Sequence, residues 1–186
     1  MHRGWQGSFP EAPSDPRVAG PQPMLATAGP PGSAARLRDV NYELYMAEAI
    51  AEARRGAEEG ETPIGGVAVL DDAMIARDHR LILLQRDPTA HAVLLTLQAA
   101  ARKLDAKRLP EVTMFTTHEP CAMCVGALLE AQVRTLVYAV PDLRQGAAGG
   151  AVQLARAPGM PHQISVISGV REDEARRLFV IAPSPA

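Results

Sequence analysis

The two cysteines of this 186-residue chain stand three positions apart in Glu119-Pro120-Cys121-Ala122-Met123-Cys124, and His91 precedes the first of them by thirty residues. Thiolate and imidazole are donors that zinc prefers, and a zinc site that does chemistry holds the ion on three protein ligands and leaves the fourth position to water. One histidine and two cysteines meet that count. Pro120 marks a helix start, so the positive end of that helix favours a thiolate at Cys121, and Cys124 faces the same point one turn later. His91 is placed in the first turn of a helix of its own. Two positive helix ends around one cation are tolerable because two thiolate charges offset them. Other readings of the same residues stay open. A C-x-x-C pair also serves redox chemistry, although here the proline precedes the pair instead of separating it. His91 alone is an ordinary helix-start histidine, and His118, nearer to the cysteines, competes for the third ligand position.

The elements that must position these residues follow from length and pattern. The chain is long enough for one domain with a full core and short for two. Residues 1–36 hold seven prolines and five glycines without apolar periodicity, the composition of a disordered extension. A docking arm carrying Trp5 and Phe9, or a start codon placed too far upstream, are the alternatives. The domain is expected over residues 37–182, with a tail at 183–186. From Asn41, residues Tyr42, Tyr45, Met46, Ala49, Ile50 and Ala53 form one helical stripe. Gly65 to Leu70 reads as a strand, Asp71-Asp72 as a tight turn, and Ala73 to Arg77 as a hairpin partner. Asp87-Pro88-Thr89 predicts a helix start with Pro88 near N1, running to about Leu104. Strands are expected at Val112–Thr116, Thr135–Val140 and Gln163–Ile167. Helices are expected from Pro120 to about Ala131 and from Arg171 to Val180, and Gly146 to Gly150 reads as a flexible loop. Alternating strands and helices give an α/β sheet covered by helices.

Charge and composition narrow the partners. A net charge of −2 and a pI near 6.2 give no whole-chain attraction to phosphate backbones. The main basic cluster is Arg102, Lys103, Lys107 and Arg108, which reads either as a solvated helix face or as an RNA contact. No run approaches the roughly 18 apolar residues of a spanning helix, and the N-terminus lacks the apolar core of a signal peptide. A cytoplasmic protein without membrane association is the expectation, with the thiols kept reduced.

Four segments together carry a family resemblance. Glu61-Thr62-Pro63-Ile64-Gly65-Gly66-Val67, Asp87-Pro88-Thr89-Ala90-His91-Ala92, Glu119-Pro120-Cys121-Ala122-Met123-Cys124 and Gly146-Ala147-Ala148-Gly149 resemble the zinc-dependent cytidine deaminase superfamily. Within it they are similar to the tRNA adenosine deaminases that convert the wobble adenosine to inosine. The resemblance covers about residues 40–180. It implies a three-layer α/β/α fold with a mixed five-stranded sheet, Zn²⁺ on His91, Cys121 and Cys124, and a dimer that assembles its tRNA groove across subunits. It also implies a metal-activated water that attacks the amidine carbon of a base.

Two departures weigh against ordinary catalysis. The signature of these enzymes is H-x-E before P-C-x-x-C, with the Glu moving protons between water, ring nitrogen and leaving amine. Here the Glu position holds Val93, which joins Leu97 and Ala100 in an apolar stripe. Family members also place an Asn that holds the base ahead of D-P-T-A-H-A, where this chain reads Asp78-His79-Arg80-Leu81. The N-H pair near the last strand appears as Pro161-His162. Glu119 is the one acidic side chain beside the ligands in sequence, and it already belongs to the family pattern. The expectation is a zinc-binding, non-catalytic or strongly impaired relative of the tRNA adenosine deaminases. It would form a homodimer, or a heterodimer with an active deaminase subunit, and position RNA. Non-catalytic subunits of eukaryotic tRNA deaminases also carry Val here. The alternatives are an active deaminase of a nucleobase, nucleoside or nucleotide using another proton shuttle, and a mutation of an otherwise ordinary enzyme.

Overall fold

The computed structural model describes residues 40–160 and 162–181. The Pro/Gly-rich extension expected at 1–36, Pro161 and the tail at 183–186 lie outside the described residues. The elements in chain order are α1 (Tyr42–Glu58), β1 (Gly65–Leu70), β2 (Ala73–His79), α2 (Ile82–Gln85), α3 (Ala92–Leu104), β3 (Thr113–His118), α4 (Ala122–Glu130), β4 (Thr135–Val140), β5 (Ser165–Ser168) and α5 (Glu172–Ile181).

The strands form one sheet in the order β2-β1-β3-β4-β5. β1 runs antiparallel to both of its neighbours, and β3, β4 and β5 are parallel to one another. The Asp71-Asp72 turn between β1 and β2 takes positive φ at both residues (49° and 56°), a pattern that matches the twist of a two-residue hairpin. β3-α4-β4 is a helical crossover, the connection that parallel neighbours require. The central strands are apolar on both faces, as sequences such as Thr135-Leu136-Val137-Tyr138-Ala139-Val140 demand, and all six residues of β4 are buried.

Helices cover both faces, giving the expected three-layer α/β/α arrangement around a mixed five-stranded sheet. On one face Met46, Ala49, Ile50 and Ala53 of α1 pack with Val67, Phe115, Val137 and Leu178 of α5. On the other, Val93, Leu97 and Ala100 of α3 and Val125 and Leu128 of α4 pack on Met114 and Leu136. No helix among the described residues is long and apolar enough to cross a membrane.

Two adjacent glycines let helices approach β1 from opposite sides, because successive strand residues face opposite ways. A Cβ on Gly65 would come within 2.7 Å of Ala53 N on α1, and a Cβ on Gly66 within 2.7 Å of Thr96 Oγ1 and 3.2 Å of Ala92 O on α3. The outer strand β2 is clipped to α1 and its end by side-chain contacts. Arg77 Nε reaches Glu52 Oε1 at 3.0 Å, and His79 Nε2 lies 3.2 Å from Glu59 Oε2. The opposite edge, β5, is only four residues long.

Three expectations are corrected. The helix expected to start at Asp87-Pro88-Thr89, with Pro88 near N1, begins at Ala92, because Asp87 accepts the Thr89 N–H and hydroxyl (both 2.7 Å) and turns the chain first. Pro88 therefore sits in a turn, and His91 is the N-cap, in extended conformation (φ −78°, ψ 142°), instead of a first-turn residue. The one-turn helix α2 fell in a stretch without a sequence signal. It is held by the buried Glu61, whose Oε1 accepts the N–H groups of Leu83 and Leu84 at 2.6 and 3.0 Å. Gly146 to Gly150 is not the loose loop its composition predicts, since Ala147 and Ala148 are buried and the backbone is tied in on both sides.

Gly66→Ala should cost about 1–3 kcal/mol of stability, the usual penalty for an unaccommodated methyl group, and should also weaken metal binding by displacing the start of α3. Urea unfolding and metal titration of the variant check both effects.

Candidate metal centre and its pocket

The candidate ligands are brought together by two helix starts. His91 caps α3 and Cys121 caps α4, each in extended conformation just before its helix, and Cys124 is the third residue of α4. Helix α4 begins where β3 ends, so both cysteines lie beyond the carboxyl end of a central parallel strand, where open α/β sheets usually place their ligands. The backbone N–H of Ala147 bonds Pro120 O at 2.9 Å, and Cys121 pairs with Gly146, which fixes the start of α4 from outside.

Cys121 Sγ and Cys124 Sγ are 3.7 Å apart, and His91 Nδ1 lies 3.7 Å from the first sulfur and 3.5 Å from the second. These distances match a tetrahedral ion. With bonds of about 2.3 Å to sulfur and 2.0–2.1 Å to nitrogen, tetrahedral angles require about 3.8 Å between sulfurs and about 3.6 Å between sulfur and nitrogen. His91, Cys121 and Cys124 are the His/Cys/Asp/Glu group among the described residues whose donor atoms lie close enough together for one metal. Both thiols are free, and no disulfide joins them. The hydrogen bond between the two sulfurs holds the Cys121 thiol down at about 5 against the opposing effect of burial. The same hydrogen bond, with burial, pushes Cys124 up.

His118 does not join the group. Its ring packs on Phe179 with centroids 5.2 Å apart, and burial holds its pKa below the usual imidazole value against the pull of Asp142. His79 is engaged with α1, and His162 Nε2 lies 2.9 Å from Val133 O. Arg102, Lys103, Lys107 and Arg108 are all exposed at and beyond the far end of α3, and none lines the pocket beside the three donors.

That pocket has a volume of about 180 Å³, and its wall includes Arg80, Val93, Thr116, Glu119 and Asp142 besides the donors. Val93 is 3% exposed and packs with Leu97 and Ala100 in the α3 side of the core, while presenting an edge to the pocket. Glu119, also 3% exposed, is spent on the backbone. Its Oε1 accepts the N–H groups of Ala148 (2.9 Å) and Gly150 (2.8 Å), and its Oε2 accepts that of Asp142 (2.8 Å). Asp142 in turn accepts the Arg144 and Gln145 N–H groups at 2.8 and 3.2 Å. Burial opposes ionisation of Asp142, but these N–H groups outweigh it and leave the pKa below the ordinary value.

Sequence reasoning left the role of Glu119 open and did not place Arg80 in the pocket. A carboxylate next to Pro120 with a glycine-rich segment about thirty residues on is a usable signal for the first, since glycine lets backbone N–H groups converge on a buried anion. Arg80 had none, because its position depends on how β2 ends.

The sequence profile of the family described as MafB19-like deaminase matches residues 40–168. A tRNA-specific adenosine deaminase of Bacillus subtilis (strain 168) is 40% identical over 132 residues, covering 71% of this chain and 82% of that protein. One from Agrobacterium fabrum (strain C58) is 37% identical over 135 residues, covering 73% and 89%. A solved structure from biochemical and structural studies of A-to-I editing by tRNA:A34 deaminases at the wobble position superimposes with a TM-score of 0.70 at 36% identity. It covers 73% of this chain and 99% of its own.

Two outcomes are expected at this site. His91→Ala should lose bound metal while His118→Ala keeps it, as read by metal content of the purified proteins. In metal-free protein, iodoacetamide should modify Cys121 before Cys124, with the rate falling only as pH drops through about 5, because the thiolate is the nucleophile and persists above its pKa. Peptide mass mapping after timed alkylation reads this directly, and zinc should protect both residues.

Proposed function

This chain belongs to the MafB19-like deaminase family of the cytidine deaminase superfamily, and on that footing we propose that it is a zinc-holding member that does not itself deaminate. His91, Cys121 and Cys124 would hold the ion. A zinc ion there supplies a Lewis acid and makes water a better nucleophile near neutral pH.

The observation that carries the proposal is the state of the pocket's carboxylates. Hydrolytic deamination needs a group that takes a proton from water and delivers it first to the ring and then to the departing amine. The resemblance assigns that task to the position of Val93, a side chain with no proton to give or accept. Glu119 and Asp142 both line the pocket, and both bind backbone N–H groups. Moving Glu119 to serve as a shuttle would strand the N–H groups of Ala148 and Gly150, at about 1–3 kcal/mol for each buried donor left unpaired. Loss of a general acid/base typically costs about 10² to 10⁴ in rate, and here one group would be missing from several steps.

The retained fold and metal ligands then serve assembly. The chain acts in the cytoplasm as one subunit of a dimer, a homodimer or a heterodimer with an active deaminase, and helps to position tRNA. The relatives named as tRNA-specific adenosine deaminases support this reading.

The test measures zinc content together with inosine formation in tRNA and deamination of free nucleobases and nucleosides. The native chain should hold about one zinc per chain and form no inosine. Val93→Glu should also remain silent on tRNA, because the Asn that holds the base in the family is missing as well. Turnover of tRNA or of a small substrate by the native chain would overturn the proposal. Inosine formation by Val93→Glu would instead mark the valine as a mutation in an ordinary enzyme.

A further inference from the structure

The two sulfur donors are not equally open. Cys121 is half-buried and lines the pocket, whereas Cys124, at the same pocket, is 2% exposed and belongs to the core with Val93, Val125 and Leu128. Their sulfurs lie 3.7 Å apart and are not joined by a disulfide. The chain has two cysteines in all, so a disulfide within it can join only this pair.

The backbone already has the reach for that bond. Residues three apart on an α-helix have Cα atoms about 5 Å from one another, inside the roughly 4.4–6.8 Å that disulfides span. Cys121 caps α4 and Cys124 is its third residue, so rotation of the two side chains brings the sulfurs from 3.7 Å to the roughly 2.05 Å of a disulfide. Ala122 and Met123, the residues between them, are both exposed, so closing the pair displaces no packed side chain from between the cysteines.

Metal and disulfide compete for the same two sulfurs. The thiolate is the metal ligand, and a disulfide removes two of the three donors together with their charges. His91 is then left as a single imidazole, far short of the ligand set that zinc takes. The same loss leaves the positive starts of α3 and α4 facing one another without the sulfur charge that offsets them.

We propose that Cys121 and Cys124 form a reversible thiol switch, in which a peroxide joins the two sulfurs and thereby empties the metal centre. The Cys121 sulfur, the more open of the two, attacks one peroxide oxygen. The S–O bond forms as the O–O bond breaks, and hydroxide leaves, giving a sulfenic acid. The Cys124 sulfur then attacks the Cys121 sulfur, the S–S bond forms as the S–O bond breaks, and a second hydroxide leaves. Each hydroxide takes up a proton to become water. The two sulfurs together give up two electrons, the peroxide takes them, and the metal ion departs with its charge unchanged. Because Cys124 is in contact, it captures the sulfenic acid before further oxidation, and a dithiol reverses the bond by exchange. The inference rests on the reading of this centre as a metal site, and it gives the subunit a way to drop its metal that involves no base.

The experiment adds hydrogen peroxide in increasing equivalents to the zinc-loaded full chain. Free zinc is read with a chromogenic chelator, and the state of each cysteine by alkylation and peptide mass mapping. About one zinc per chain should be released, in step with a Cys121–Cys124 disulfide, and dithiothreitol with added zinc should restore the starting metal content. Cys124→Ser should instead carry Cys121 on to sulfinic acid, which dithiothreitol does not reverse. The native chain decides the matter by itself if that variant does not fold. Zinc release without a Cys121–Cys124 disulfide, sulfinic acid as the first product in the native chain, or failure of dithiothreitol and zinc to restore the metal overturns the proposal. If zinc is bound and both thiols survive a large excess of peroxide, the metal reading stands and this one fails. If the purified chain holds no zinc and the pair still closes and reopens, the metal reading fails and the thiol switch stands.

Discussion

Two helix starts are held close together at the carboxyl end of β3, and the rest of the molecule is arranged to keep them there. Helix ends of like sign repel, so their approach must be enforced by packing and relieved by negative charge. The enforcement comes from Gly66, which lets α3 settle on β1, and from the direct passage of β3 into α4. The relief comes from sulfur: Cys121 lies at the positive end of its helix and ionises well below an ordinary thiol. Three donor atoms then sit at tetrahedral spacing without any one of them lying in a long loop.

Glu119 plays the complementary part from the other side. It is buried with no cationic partner in contact among the described residues, and its oxygens are met by three backbone N–H groups drawn from the segment 142–150. Hydrogen bonds to a charged acceptor are among the stronger ones available to a protein. One residue therefore shapes the segment that supplies part of the pocket wall. The same carboxylate that looks available in the sequence is the one whose withdrawal would dismantle the wall.

Much of the fold was legible because its signals are local and strong. Thr135-Leu136-Val137-Tyr138-Ala139-Val140 can hardly be anything but a buried strand, and Gly65 to Leu70 followed by Asp71-Asp72 states a hairpin. The stripe from Tyr42 to Ala53 forms the expected face of α1. The three donors were legible because residue type and spacing suffice to nominate them. What stayed hidden depended on side-chain to backbone bonds that no periodicity records. Asp87 delays α3 by turning the chain, Glu61 creates a one-turn helix, and Glu119 converts a glycine-rich stretch into a buried wall. Arg80 belongs with these, since only the end of β2 determines that it faces the pocket.

The clipped strand β2 and the short strand β5 have a consequence for how the molecule meets others. A sheet grows by offering unpaired backbone groups along an edge, and proteins suppress this with charge, brevity or cover. At one border Arg77 and His79 tie β2 back onto α1, and at the other β5 ends after four residues. Charge beside one border and brevity at the other are two of the devices by which a sheet resists growth at its edges, so the five strands carry their own protection against adding a sixth.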